Sequence, residues 1–273
     1  MIPALSQVCT LNSNFEDDIA DYAASHCPAV EIWLTKLEEY IQSCSLSDAR
    51  HLLEKHQVTP FVASFQGGLL SSQGEARASA WELFARRLEL CQELEIRTLV
   101  MACDVLAPLN QSLIDRTKLS LQQAAEAAGK HQIKLALEFQ ARSAFGNNLQ
   151  TVAALVEEVG SAHLGICLDV FHFNIGPSKY ADLALLNSEN LFHVQLCDLA
   201  DVPREFASDS DRILPGDGDF AIAPIVAYLQ EIKYEKCVSI ELMNPQIWQV
   251  PARQFGEIAI TALRQALGQA SMD

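Results

Sequence analysis

Short apolar runs alternate along the chain with longer stretches in which apolar residues recur at helical spacing. The runs at residues 7–10, 29–34, 60–65, 98–103, 134–139, 164–170, 191–197 and 237–242 read as strands. Between them lie amphipathic segments. The clearest covers 75–94, where Ala80, Leu83, Phe84, Leu88, Cys91 and Leu94 follow one helical face. Segments 110–130 and 147–159 behave alike, with Asn110 and Asn147 as expected N-caps, and 252–267 closes the chain. Eight strand–helix units in 273 residues predict one α/β domain, a single (β/α)8 TIM barrel over residues 1–273. A doubly wound sheet is the runner-up. It would place a glycine-rich turn after the first strand, where this chain has Leu11-Asn12-Ser13-Asn14. The longest irregular stretch is 198–220, after the seventh strand.

Four of these runs end on an oxygen donor. Leu135-Ala136-Leu137 precedes Glu138, and Gly165-Ile166-Cys167-Leu168 precedes Asp169. Leu191-Phe192-His193-Val194 precedes Gln195, and Val238-Ser239-Ile240 precedes Glu241. A charge at the buried end of a strand is costly unless it is paired or binds a metal. Barrel enzymes draw their catalytic groups from such strand ends. Three carboxylates and an amide oxygen are hard ligands suited to Mg²⁺ or Mn²⁺. Placed close together, the three charges would need a cation among them to stay ionised.

Composition narrows the function. With 19 Lys+Arg against 35 Asp+Glu the net charge is -16, which repels nucleic acid and anionic membrane surfaces. The start, Met1-Ile2-Pro3-Ala4-Leu5, has neither a basic region nor a long apolar stretch. The eight cysteines form no CxxC pair, and several sit in strand-like runs as small hydrophobes. A cytoplasmic protein with reduced thiols is expected. A homo-oligomer is compatible with the sequence.

The motifs LALEF, GICLDVFHFN, HVQLCD, PGDGDF and SIELMN resemble those of the xylose-isomerase-like TIM barrels. The likeness is close over strands five to eight and extends to the first half only in layout. It implies that Glu138, Asp169, Gln195 and Glu241 ligate one divalent ion, Mn²⁺ or Mg²⁺, with Co²⁺ or Zn²⁺ also admissible. The strand-seven ligand is often His in the isomerases and epimerases of the family. Here it is Gln195, as in the 3-dehydroshikimate dehydratase branch, with His193 on the same strand face as an alternative.

The resemblance further implies that His172 faces substrate and handles protons, and that Arg212 in the seventh loop binds a substrate oxyanion, with Arg204 a weaker choice. Glu31 on the second strand is expected either to touch a substrate hydroxyl or to pair with an arginine. Trp33, Phe65, Phe171 and Trp248 are candidates for pocket walls. The PGDGDF stretch reads as a loop closure, since Asp217 and Asp219 would repel phosphate.

The chemistry implied is enolisation of a small polyhydroxy carbonyl compound, sugar or cyclitol, with Glu138 and Glu241 moving the proton on two sides of the reacting carbon. The leading reading is a sugar isomerase or epimerase. The alternative is a dehydratase of the 3-dehydroshikimate or inosose type, in which His172 would be the acid or base. An endonuclease needs more His ligands and a basic face. A non-catalytic carbohydrate-binding barrel is the remaining class, and would typically have lost a ligand.

Overall fold

The computed structural model describes residues 1–270. Its strands are β1 Ile2–Ser6, β2 Ala29–Trp33, β3 Thr59–Gln66, β4 Thr98–Cys103, β5 Lys134–Phe139, β6 Leu164–Asp169, β7 Leu191–Leu196 and β8 Cys237–Ile240. They are hydrogen-bonded in sequence order, β1 to β8, and close as a parallel barrel. The helices are α1 Phe15–Ala24, α2 Leu34–Tyr40, α3 Leu46–His56, α4 Gly74–Glu93, α5 Gln111–Lys130, α6 Leu149–Val159, α7 Val170–Ile175, α8 Ile222–Glu231 and α9 Ala252–Ala266. Among the described residues no helix is long and apolar enough to cross a membrane.

Polar side chains start several helices by taking an otherwise unpaired backbone N–H. Asn14 accepts from Asp17 N at 2.8 Å and Asn110 from Leu113 N at 2.9 Å. Ser45 and Asp48 cap α3 reciprocally. The cap of α6 is Asn148, which accepts from Thr151 N at 2.9 Å, and not the expected Asn147. Both positions carry the right side chain, and backbone geometry decides between them.

The expected first strand at 7–10 is a correction. Gln7–Thr10 is a 3-10 turn, and the strand lies just before it. The true strand pairs Ile2 through Leu5 with Cys237 through Ile240, and Leu5 and Ser6 with Val30 and Glu31. Gln7, Val8, Cys9 and Thr10 are all buried, so their strand-like apolarity reflects packing. Gln7 Oε1 takes the N–H of Trp33, tying the turn to the end of β2.

Two compact units divide the chain. One comprises residues 1–63 and those from 194 onward, the other residues 64–193. In the first, register places Gln195 opposite Ser239, Ser239 opposite Ala4, and Ser6 opposite Glu31. Side chains alternate between faces, so these positions share one. In the second, Ala102 stands opposite Glu138 and Glu138 opposite Cys167. Asp169, two residues past Cys167, therefore shares the face of Glu138.

Candidate active site

In the unit of residues 64–193, Glu138, Asp169 and His172 are buried at 5 %, 0 % and 6 % exposure. Each offers one ligand atom, and these three atoms lie within 4.8 Å of one another. Donors about 2.0–2.5 Å from a cation stand at most about 4–5 Å apart across it, so the trio fits a single divalent ion. Asp169 also caps α7, accepting from Phe171 N at 2.7 Å through Oδ1. Its Oδ2 lies 3.7 Å from His172 Nε2. The cap explains how the chain turns from strand to helix at this point, which swings His172 back over the strand end. Gln140 donates to Glu138 Oε2.

From the sequence His172 is expected to face substrate, and no pattern there groups it with the metal donors. The structure brings it among them. The short helix that does this is not visible as periodicity, because it has only six residues. Phe171 is buried beside His172, with ring centroids 5.7 Å apart, whereas Phe65 is 42 % exposed.

The other unit gathers Glu31, Gln195, Arg212 and Glu241, all buried. Gln195 Nε2 donates to Glu31 Oε1 and to Glu241 Oε1, each at 2.9 Å. Ser239 Oγ donates to Glu31 Oε2. Glu31 thus accepts from an amide and a hydroxyl of the barrel wall. Arg212 is fully buried. Its Nη1 donates to Glu241 Oε2 at 3.1 Å, while Nε and Nη2 donate to Asp209 Oδ1 at 3.0 and 2.7 Å. Arg204, by contrast, is exposed.

Glu241 stands one residue past β8. Its N–H reaches Leu196 O at 3.1 Å. The thiol of Cys9 brackets it, donating to Ile240 O at 3.4 Å and accepting from Leu242 N at 3.1 Å. Burial pushes the Cys9 thiol well above its ordinary pKa, and the charges of Glu241 and Glu31 add to this, so the thiol stays protonated and keeps its donor.

The glycine-rich stretch does cradle an anion, the protein's own Asp198. Its Oδ1 accepts from Leu199 N and Phe220 N, both at 2.9 Å, and its Oδ2 from Gly216 N at 3.0 Å. The motif is the loop closure expected of it. Asp198 ends the HVQLCD motif and Ser239 opens SIELMN, but the sequence alone shows no role for them or for Cys9 and Asp209. Their roles depend on contacts with residues distant in the chain or on the course of a long loop, for which no local pattern exists.

Residues 19–265 match the family described as xylose isomerase-like TIM barrel. The inosose isomerase of Halalkalibacterium halodurans is 28 % identical over 257 residues, covering 91 % of this chain and 90 % of that one. The 3-dehydroshikimate dehydratase of Pseudomonas putida is 28 % identical over 177 residues, or 62 % of this chain and 27 % of that enzyme. The crystal structure of the IOLI protein with a binding zinc atom superposes with a TM-score of 0.92 at 23 % identity, covering 100 % of both chains. With its eight-stranded parallel barrel and a family match spanning nearly its whole length, the chain belongs to the xylose isomerase-like TIM barrels.

Proposed function

We propose that this protein is a divalent-metal-dependent isomerase that moves a carbonyl group between neighbouring carbons of a small polyhydroxy ketone of the inosose class. The observation that carries the reading is the buried cluster of Glu138, Asp169 and His172, whose donor atoms lie within 4.8 Å of one another. The similarity to an inosose isomerase over 91 % of this chain supports the substrate class.

In this reading Glu138, Asp169, Gln195 and Glu241 hold the ion, each at or one residue from the end of its strand. The oxygen donors favour Mn²⁺ or Mg²⁺, and the nearby imidazole makes Co²⁺ or Zn²⁺ acceptable. When bound, the ion supplies Lewis-acid polarisation of the substrate carbonyl. Glu138 takes the proton from the carbon beside that carbonyl, and Glu241 returns one to the neighbouring carbon. His172 carries a proton between the two substrate oxygens, so that hydroxyl and carbonyl exchange places. Arg212 holds Glu241 in place through its 3.1 Å hydrogen bond. Glu31 is assigned to the support of Gln195 and not to substrate. Seven of the eight free cysteines are buried, which suits a reducing cytoplasm.

The same proton transfer serves two other outcomes. Returning the proton to the opposite face of the original carbon is epimerisation. Expelling a β-hydroxyl is dehydration, the reaction named for the Pseudomonas putida relative. The test is incubation of Mn²⁺-loaded protein in D₂O with an inosose, a ketohexose and 3-dehydroshikimate. Deuterium entering beside the carbonyl of the inosose, with an isomeric ketone as product, is the expected result. An ultraviolet-absorbing unsaturated product from 3-dehydroshikimate would replace the isomerase reading with a lyase. Absence of metal-dependent exchange on all three would favour a carbohydrate-binding barrel.

A further inference from the structure

We propose that Glu31 is a positioning residue that dictates which atom of Gln195 faces the cation. The inference rests on the reading of Gln195 as a ligand.

A glutamine amide has two unlike ends, an oxygen that accepts and an NH₂ that donates. At Gln195 two carboxylate oxygens, Glu31 Oε1 and Glu241 Oε1, each lie 2.9 Å from Nε2. Ionised carboxylates only accept hydrogen bonds, so the nitrogen must face them. A flipped amide would press its oxygen against two anionic oxygens. The pair of carboxylates therefore fixes the amide orientation chemically and turns the carbonyl oxygen away from both.

Glu241 alone would make this a single hydrogen bond, about which the amide can swing. Glu31 occupies the second N–H and sets the plane. Its own position is not left to chance. Ser239 holds Oε2, and Ser239 stands opposite Gln195 in the β7–β8 register, so both ends of the Glu31 carboxylate refer to one stretch of sheet. Glu31, Ser239 and Gln195 are 0 %, 0 % and 1 % exposed, so solvent does not compete for these bonds. A carboxylate that grips the far side of a metal-bound imidazole does the same service for histidine. Here the gripped group is an amide, and the atom presented is a hard oxygen, which tunes the centre toward Mg²⁺ and Mn²⁺.

The experiment is calorimetric Mn²⁺ titration of the full chain in four forms, wild type, Gln195→Ala, Glu31→Leu and Glu31→Gln, each checked for fold by thermal unfolding. Glu31→Leu should weaken Mn²⁺ binding by about 10- to 100-fold. Glu31→Gln should restore it to near the wild-type value, because a glutamine oxygen can accept the same bond while its NH₂ turns to the Ser239 hydroxyl. Wild-type affinity in Glu31→Leu overturns the proposal. So does Glu31→Gln as weak as Glu31→Leu, which would mean that charge and not orientation matters. Should Glu31→Leu fail to fold, Ser239→Ala decides: a several-fold loss supports the proposal and unchanged affinity overturns it. Gln195→Ala separates the two levels. If it binds Mn²⁺ as wild type does, the ligand reading itself fails. If it binds weakly while Glu31→Leu does not, only the role of Glu31 falls.

Discussion

Arg212 is completely buried, and its Nη1 donates a 3.1 Å hydrogen bond to Oε2 of Glu241. Asp209 holds the rest of the guanidinium at 2.7 and 3.0 Å. An arginine gripped by two of the protein's own carboxylates acts first as a strut for Glu241. Removing one partner of a buried ion pair leaves an uncompensated charge, at a cost of about 3–5 kcal/mol. Arg212→Met should therefore lower the unfolding free energy read from urea denaturation by an amount in that range, before any substrate is added. If stability is unchanged and only KM rises, Arg212 is a substrate hook.

The cation site is tested by Glu138→Gln and Asp169→Asn. Both substitutions keep shape and remove a negative charge from the cluster around His172. Loss of an outer partner of a metal ligand costs about 10- to 100-fold in affinity, and loss of a ligand charge should cost at least as much. Mn²⁺ titration is the measurement. Wild-type affinity in both variants would remove the metal from the mechanism.

The seventh loop depends on one close approach. A Cβ on Gly218 would lie 2.4 Å from Asp198 Oδ1 and 2.5 Å from Leu199 O, while Gly216 sits at φ +96°. Gly218→Ala must displace the carboxylate that collects three loop N–H groups. We expect a loss of about 1–3 kcal/mol, the usual range for overpacking. Faster proteolysis within residues 199–220 should accompany it. Wild-type stability and proteolytic resistance would show that the loop does not need Asp198.

Most of the barrel is legible in the sequence because a buried parallel strand is a short apolar run with clear ends. β4 and β5 fall on the expected residues, 98–103 and 134–139. The first strand is not, because Val8 and Cys9 are as apolar as a strand while Ile2-Pro3-Ala4 looks like an ordinary terminus. Only the partners on β8 and β2 tell the two apart. The same division holds at the site. Glu138, Asp169, Gln195 and Glu241 are visible as donors closing apolar runs. Ser239 bonds Glu31, and Cys9 bonds the backbone on either side of Glu241, across 208 residues or more in the chain. The link of Glu31 to Gln195 spans 164 residues, and only the fold reveals it.

A second buried ion pair lies apart from these donors, behind the turn that follows β1. Asp18 is 0 % exposed and accepts from Lys36 Nζ at 2.6 Å, Thr10 Oγ1 at 2.8 Å and Gln7 Nε2 at 3.3 Å. Burial nonetheless pushes its carboxyl up from 3.8 to about 6, against the pull of Lys36 and Thr10. An acid whose folded pKa is raised holds its proton more tightly folded than unfolded. Its contribution to stability is complete below 3.8 and is lost as pH rises through about 6. Lys36→Met removes the main force holding that pKa down, so the folded value climbs further and the loss extends toward neutrality. The cost relative to wild type should reach about 3–5 kcal/mol near pH 8 and shrink near pH 5, where Asp18 is largely protonated in both proteins. Urea unfolding of the two proteins at both pH values reads this directly. In an Asp18→Asn background the cost of Lys36→Met should no longer change between the two pH values. A penalty of equal size at both pH values would show that Lys36 contributes by packing its stem and not by its charge.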